Sequence, residues 1–260
     1  MPGPGVTSDL TVPNPARIYD SLTGGRDNFA ADREFGDRIA AEVPGLRGLA
    51  RDGRGFMIRS VTWSASRGIG QFLDLGCGLP SSPNVHETAR ATRPDARVVY
   101  VDNDPVVLRH ARLLLAGDGA AVVGGDVREP GAVLADPGLR VIDFTRPCAV
   151  LAGGVLSAMD AEEARNAVAT FAAVLAPGST LAVSCVSYAD PGFGERISAT
   201  FAEATGRTWI SHPAETIQGW FDGAGLRVIR GQVANVRCWP MAGPQAGRQA
   251  VTLGGVGLKP

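Results

Sequence analysis

Two short runs carry residues able to do chemistry: Gln71-Phe72-Leu73-Asp74-Leu75-Gly76-Cys77-Gly78-Leu79-Pro80 and Val98-Val99-Tyr100-Val101-Asp102-Asn103-Asp104. Each starts with an apolar stretch too short for a helix, contains an acid near its end and runs into loop chemistry, the pattern of a buried parallel strand. Gly76 and Gly78 allow a backbone turn to pass close to a ligand where a Cβ would collide. Asp102 closes the second strand, where a carboxylate can accept both hydroxyls of a ribose. A nucleoside is therefore the expected ligand.

The flanking residues choose among nucleosides. A dinucleotide site wants a third glycine and a helix start for pyrophosphate, yet Leu79 and Pro80 follow here and the next glycine is Gly117. Asp74, two positions ahead of Gly76, would repel a pyrophosphate but can pair with an amino group. S-adenosylmethionine, an adenosine joined to an amino acid without phosphate, fits better, and a dehydrogenase reading ranks below it. Its sulfonium methyl sits on an activated carbon, so alignment of acceptor, methyl and sulfur supplies much of the rate.

The elements that must position these residues follow from patterning. Met1 to Pro13, rich in Pro and Gly, reads as a disordered lead-in. Residues 14–68 precede the first strand and form a helical cap. A helix from Asn14 is broken at Gly24-Gly25, and Arg26-Asp27-Asn28-Phe29 then leads into a second helix that runs to about Val43, with apolar spacing at Phe29, Phe35, Ile39 and Val43. A third spans Gly55 to Arg67. Residues 69–260 form the nucleoside-binding domain. Its crossover helices are expected at Asn84–Thr92 and Val106–Leu115, and its strands at Ala96–Asp102, Ala120–Val127, Pro147–Leu156 and Thr180–Ser187. Asp160 caps a helix through Leu175. Helical patches follow at Phe193–Thr205 and Ala214–Asp222, and strands at Gly225–Gln232 and Ala250–Gly254.

The first 33 residues also carry a resemblance, in Pro15-Ala16-Arg17-Ile18-Tyr19-Asp20 and Gly24-Gly25-Arg26-Asp27-Asn28-Phe29-Ala30-Ala31-Asp32-Arg33. Together with the glycine turn, Asn84-Val85-His86-Glu87, the Asp102 segment and Val256-Gly257-Leu258-Lys259-Pro260, they resemble an actinobacterial S-adenosyl methyltransferase family once filed as a domain of unknown function. The resemblance implies an α/β, Rossmann-like class I methyltransferase fold. Its sheet has seven mostly parallel strands, the last antiparallel and formed by a final hairpin that includes Trp239, and the N-terminal helices close over the cofactor.

It further implies that Tyr19, Gly24, Gly25, Asn28 and Phe29 approach the cofactor from the cap. From the nucleoside-binding domain come Asp74, Gly76, Cys77, Gly78, Leu79, Asn84, Asp102, Asn103 and Asp104. Val107 is expected near the adenine face. Gly125, Asp126 and Val127 stand where the fold's carboxylate meets the adenine amino group, though Asp126 also reads as a helix cap. Ala152, Gly153 and the stretch to Ser157 are expected to face the transferring methyl. Relatives commonly have a histidine at the position of Ser157, so this loop offers no obvious general base.

Candidates to assist an acceptor are Tyr19, Tyr188 and His212, with rival readings as a packing residue, a rim aromatic and a helix-leading surface residue. His86 belongs to the cofactor neighbourhood or to a cap, and His110 to a solvated helix face. The three histidines are far apart and form no metal-ligand set, so no metal is expected.

Composition bounds the rest. In 260 residues, 45% are hydrophobic and 20% charged, enough for a globular core without staples. A net charge of -1 gives no reason to expect nucleic acid or an acidic membrane surface as partner. Cys77, Cys148, Cys185 and Cys238 form no C-x-x-C pair and read as reduced thiols of a cytoplasmic protein. No apolar run of about 18 residues occurs. The expected partners are a small-molecule substrate and, in a homodimer, a second copy of the chain. The leading expectation is methyl transfer to a small molecule of bacterial secondary metabolism. The alternatives are a cyclisation or rearrangement that uses the same cofactor, and a non-catalytic sensor of it.

Overall fold

The computed structural model describes residues 10–115, 117, 119–241 and 249–260. Most of the expected lead-in lies outside that range. Its end is pinned, because the Val12 carbonyl accepts from Arg17 Nη2 at 2.6 Å.

Three helices precede the first strand. Asn14 caps α1 (Pro15–Thr23): its Oδ1 accepts from Ala16 N–H at 2.9 Å, satisfying a donor the helix start leaves free. Gly24, at φ 93°, closes the helix in the left-handed region. α2 spans Ala30–Glu42, with Phe29 as its extended N-cap. Phe29 consequently leaves the apolar stripe and is 39% exposed, its ring under the Arg17 guanidinium. α3 runs Leu46–Ser66, starting nine residues ahead of the expected Gly55. Leu46, Leu49, Ala50, Gly53, Phe56, Met57 and Val61 form its buried stripe at helical spacing. Gly53 faces the sheet, where an added Cβ would make ordinary contact, 3.5 Å from Thr252 Cγ2.

The sheet is built from β1 (Gln71–Leu75), β2 (Arg97–Asp102), β3 (Ala120–Gly124), β4 (Ala149–Gly153), β5 (Thr180–Tyr188) and β8 (Ala250–Leu258). Two-residue strands β6 (Arg227–Val228) and β7 (Ala234–Asn235) complete it. The order is β3-β2-β1-β4-β5-β8-β6, with β7 paired to β8. The first five strands are parallel and β8 is antiparallel to β5, as the fold class requires. Strand order reverses between β1 and β4, and in such sheets the ligand crevice opens beyond the strand ends at that point. Alternation along β1 sends Leu73 and Leu75 to one core and Phe72 to the other. α4 (Val85–Arg90), α5 (Pro105–Leu114), α6 (Pro130–Ala135), α7 (Ala161–Ala173), α8 (Pro191–Thr205) and α9 (Ala214–Gly223) complete the layers.

The C-terminal third departs from expectation. Eight strands form rather than seven among the described residues, because the strand expected at Gly225–Gln232 shrinks to β6 and β7 is new. β8 extends to Leu258 through three glycines that the register demands. A Cβ on Gly254 would fall 2.2 Å from the Val183 carbonyl oxygen, and one on Gly257 2.6 Å from Phe221 Cδ1. Trp239 lies outside every strand and packs edge-on to Phe56 with ring centroids 5.5 Å apart.

The first two helices are locked together by one buried ion pair. Arg17 Nε lies 2.9 Å from Asp32 Oδ2, both side chains almost without solvent. Asp32 also accepts the N–H groups of Asn14 and Phe29, each at 2.9 Å. Removing one member strands the other charge, so Asp32→Ala is expected to lower the unfolding free energy by about 3 kcal/mol. Adding Arg17→Met to that variant is expected to recover part of the loss. Urea denaturation measures both, and a loss under about 1 kcal/mol for the single change would contradict the assignment.

Candidate active site

The C-terminal ends of β1, β2 and β4 open into a cavity of about 300 Å³ that also reaches α1, α2, α3 and α8. Its polar end is set by the turn after β1. Gly76 and Gly78 both take φ 64°, in the left-handed region. Their reasons differ. A Cβ on Gly76 would fall 2.4 Å from Val155 Cγ2, so this glycine admits a protein side chain rather than a ligand. A Cβ on Gly78 would meet nothing within 4 Å, and this glycine borders open cavity.

Asp102 holds the turn. One of its carboxylate oxygens accepts from Gly78 N–H at 2.9 Å and the other from Asp104 N–H at 3.0 Å. Burial raises its pKa, while those two donors pull it down. Asp104 caps α5, accepting from Val106 N–H at 2.8 Å, and its other oxygen accepts from Asn14 Nδ2 at 2.6 Å. The first helix is thus tied to the end of β2 by a side chain the sequence marked only as a cap.

Two further cavity carboxylates, Asp74 and Asp126, occupy different electrostatic settings. Burial pushes Asp74 up to about 7; the Arg54 guanidinium opposes the rise and Asp102 adds to it. Asp126 is held down to about 2, chiefly by hydrogen bonds from Arg128. Arg128 Nη2 reaches Asp126 Oδ2 at 2.5 Å, and Asn103 Nδ2 donates to the same oxygen at 3.0 Å. Arg54 in turn gives Nη2 to the carbonyls of Ser81 and Pro83, each at 2.6 Å.

The other end of the cavity is apolar. Ile18, Leu22, Phe35, Ile39 and Leu49 from the leading helices meet Met159, Val186, Tyr188, Ile197, Phe201 and Trp209 across it. Tyr19 lines the same space. Its ring is 40% exposed, yet its hydroxyl points inward and donates to the Ala50 carbonyl at 3.1 Å, and burial of that end lifts it to about 12. Tyr188, whose ring meets Phe193 edge-on, is likewise pushed up to about 12 by burial. Both phenols therefore keep their protons near neutrality and act as donors.

Of the residues singled out from the sequence, Tyr19, Asp74, Gly76, Cys77, Gly78, Asp102, Asn103 and Asp104 line the cavity. So do Gly125, Asp126, Val127, Gly153 and Tyr188. The remainder lie elsewhere. Gly25 packs on Asp20, where an added Cβ would fall 1.9 Å from Oδ1, and Asn28 Nδ2 donates to that carboxylate at 2.8 Å. The Gly24–Phe29 segment therefore shapes a turn and does not reach the cavity wall. Leu79, Val107 and Ala152 are core residues, and Ser157 is fully buried. Asn84 caps α4. His86 rests beside Tyr100, Nδ1 to hydroxyl 2.8 Å, outside the wall. His212 is 2% exposed, with Nε2 3.1 Å from the Met159 carbonyl and its ring 4.9 Å from Trp220. It is neither a surface residue nor a cavity base, and burial lowers its pKa. Asn14, Arg54, Met57, Arg128, Phe201, Arg207 and Trp209 join the wall unforeseen, and only the helix start at Asn14 hinted at one of them.

A glycine turn at a strand-order reversal, a buried acid closing β2 and an acid after β3 define an α/β protein that binds an adenosine without phosphates. The site suits S-adenosylmethionine, with an open floor at Gly78 and carboxylates at or just past the ends of β1, β2 and β3. The profile of the S-adenosyl methyltransferase family matches residues 5–260, and the chain belongs to that family. It is a methyltransferase that depends on S-adenosylmethionine.

Two crystal structures resemble it along almost the whole chain. One is a Thermobifida fusca protein described provisionally as a methyltransferase, 38% identical, with TM-score 0.85 over 96% of each chain. The other is a protein of the DUF574 family from Streptomyces avermitilis, 34% identical, with TM-score 0.86 over 97% of this chain and 99% of that one. A Mycobacterium marinum protein, provisionally named an S-adenosyl-L-methionine-dependent methyltransferase, is 34% identical over 156 residues. That match takes in 56% of this chain and 44% of the relative. No helix among the described residues is long and apolar enough to cross a membrane.

The electrostatics of Asp74 can be read directly. Its side-chain carboxyl carbon is expected to titrate near 7 in NMR, where an ordinary aspartate titrates near about 4. Arg54→Met removes the opposing cation and is expected to move the midpoint higher. A midpoint in the ordinary range, or a downward move in the variant, would contradict the assignment.

Proposed function

We propose that this chain transfers the methyl of S-adenosylmethionine to a small-molecule acceptor held in the apolar end of the cavity. The observation that carries the reading is continuity: one cavity joins the acids at the strand ends to an apolar chamber walled by α1, α2, α3 and α8. A polymer would need an open groove, whereas this chamber suits a compact guest. Secondary metabolism as the setting rests on the resemblance to actinobacterial relatives. Four free cysteines support a reducing, cytoplasmic location.

Bound cofactor supplies a methyl group on a positively charged sulfur, already activated toward displacement. The chain's own part is binding and alignment. Asp102 takes the ribose hydroxyls on the lone pairs that Gly78 and Asp104 leave free. Asp74 takes the amino group, and its ionised form is the one that a cation favours. Asp126, kept ionised by Arg128, accepts from the adenine amino group. Gly153 and Met57 stand where the polar and apolar ends meet, with room so limited that a Cβ at 153 would lie 3.0 Å from Met57 Cγ. Tyr188, protonated, orients the acceptor by donating a hydrogen bond, while Tyr19, whose hydroxyl proton is given to the Ala50 carbonyl, excludes water with its ring.

Calorimetry with S-adenosylhomocysteine tests the reading. The native protein is expected to bind it, and Asp102→Ala to weaken binding at least about tenfold, since a buried acceptor of charge-assisted hydrogen bonds is lost. Incubation with S-adenosylmethionine and an accepted substrate is expected to generate S-adenosylhomocysteine. Absence of binding at millimolar ligand, or an Asp102→Ala variant of native affinity, would overturn it.

A further inference from the structure

Three guanidinium groups line the cavity, and they are not equivalent. Arg128 is paired with Asp126. Arg54 stands in the field of Asp74 and is held by two carbonyls. The Arg207 guanidinium makes no ion pair or hydrogen bond with any described residue; the contacts of Arg207 with Thr205 Oγ1 run through its backbone N–H and carbonyl. It sits just past the end of α8, in a loop fixed on both sides. Before Arg207 the Thr205 hydroxyl is held at the Phe201 carbonyl, 2.8 Å away; after it the Ser198 hydroxyl donates to the Trp209 carbonyl and Ile210 N–H to the Ser157 carbonyl at 2.6 Å.

That loop also presents an aromatic wall. Trp209 stacks at a tilt on Phe201 with centroids 5.4 Å apart, and Phe201 meets Phe35 edge-on at 5.7 Å. All three rings border the chamber, and the unpaired cation lies two residues before the last of them. Flat faces suit a ring, and a planar fork of N–H donors suits a carboxylate.

We propose that the acceptor is a compact ring compound bearing a carboxylate, its ring against Phe35, Phe201 and Trp209 and its anion on Arg207. This rests on the methyl-transfer reading above and narrows its substrate class. Arg207 is exposed, so the anion keeps part of its hydration and the attraction is screened by salt.

The probes are 1-naphthoate and 1-naphthamide, alike in ring and different in charge, titrated calorimetrically into the protein with and without saturating S-adenosylhomocysteine. The acid is expected to bind about tenfold more tightly at low ionic strength, with the gap narrowing as salt is added. Arg207→Gln is expected to abolish the gap while leaving naphthamide and S-adenosylhomocysteine affinities unchanged. Equal binding of acid and amide, a gap that survives in Arg207→Gln, or rejection of both rings would overturn the proposal. Failure to bind S-adenosylhomocysteine would instead count against methyl transfer, and the acid-to-amide comparison in the ligand-free protein would still decide the carboxylate subsite.

Discussion

The site depends on a single buried carboxylate. Asp102 ends β2 and accepts the backbone N–H groups of Gly78 and Asp104 on separate oxygens. The first bond fixes the turn after β1, and the second fixes the cap of α5. Through Asp104 the same network reaches Asn14 and so the first helix. A buried acid is costly unless it is hydrogen-bonded, which is why turn, strand end and helix start are mutually constrained. Any ligand that engages Asp102 engages all three.

Around this junction, environment rather than residue type assigns the work. Asp74 and Asp126 have the same side chain, yet burial drives one up to about 7 and Arg128 holds the other down to about 2. The two acids therefore answer different partners: one gains from an arriving cation, and the other is a permanent acceptor. The chamber beyond them is built from helices on both sides of the β-sheet in sequence, α1–α3 before it and α8 after β5. Its residues meet only when the chain has closed, and the Arg17–Asp32 pair holds the leading part of that wall together.

Much of this was legible in the order of residues, because it depends on local signals. Short apolar runs ending in acids gave the parallel strands, Asn14 and Asp160 gave helix starts, and Gly78 marked the floor of a ligand site. What fell short was the reach of two elements. α3 begins at Leu46, ahead of the expected Gly55, and β8 runs to Leu258, beyond the expected Gly254, where pairing with β5 and contact with Phe221 leave no room for a side chain at 254 and 257. The Gly24–Phe29 turn looked like a ligand loop because its motif is distinctive, but its glycine and amide serve Asp20. His212 was misplaced for want of its partners Met159 and Trp220, both distant in sequence. Arg207 and the aromatic wall carry no local signature at all.

Amide hydrogen exchange with and without S-adenosylhomocysteine addresses the central claim most directly, because it reports on the Asp102 junction and the leading helices together. The account predicts slowed exchange at Gly78, at Asp104 and across Pro15–Thr23 when the ligand is present. Unchanged exchange at all three, or protection confined to the β6–β8 edge, would contradict it.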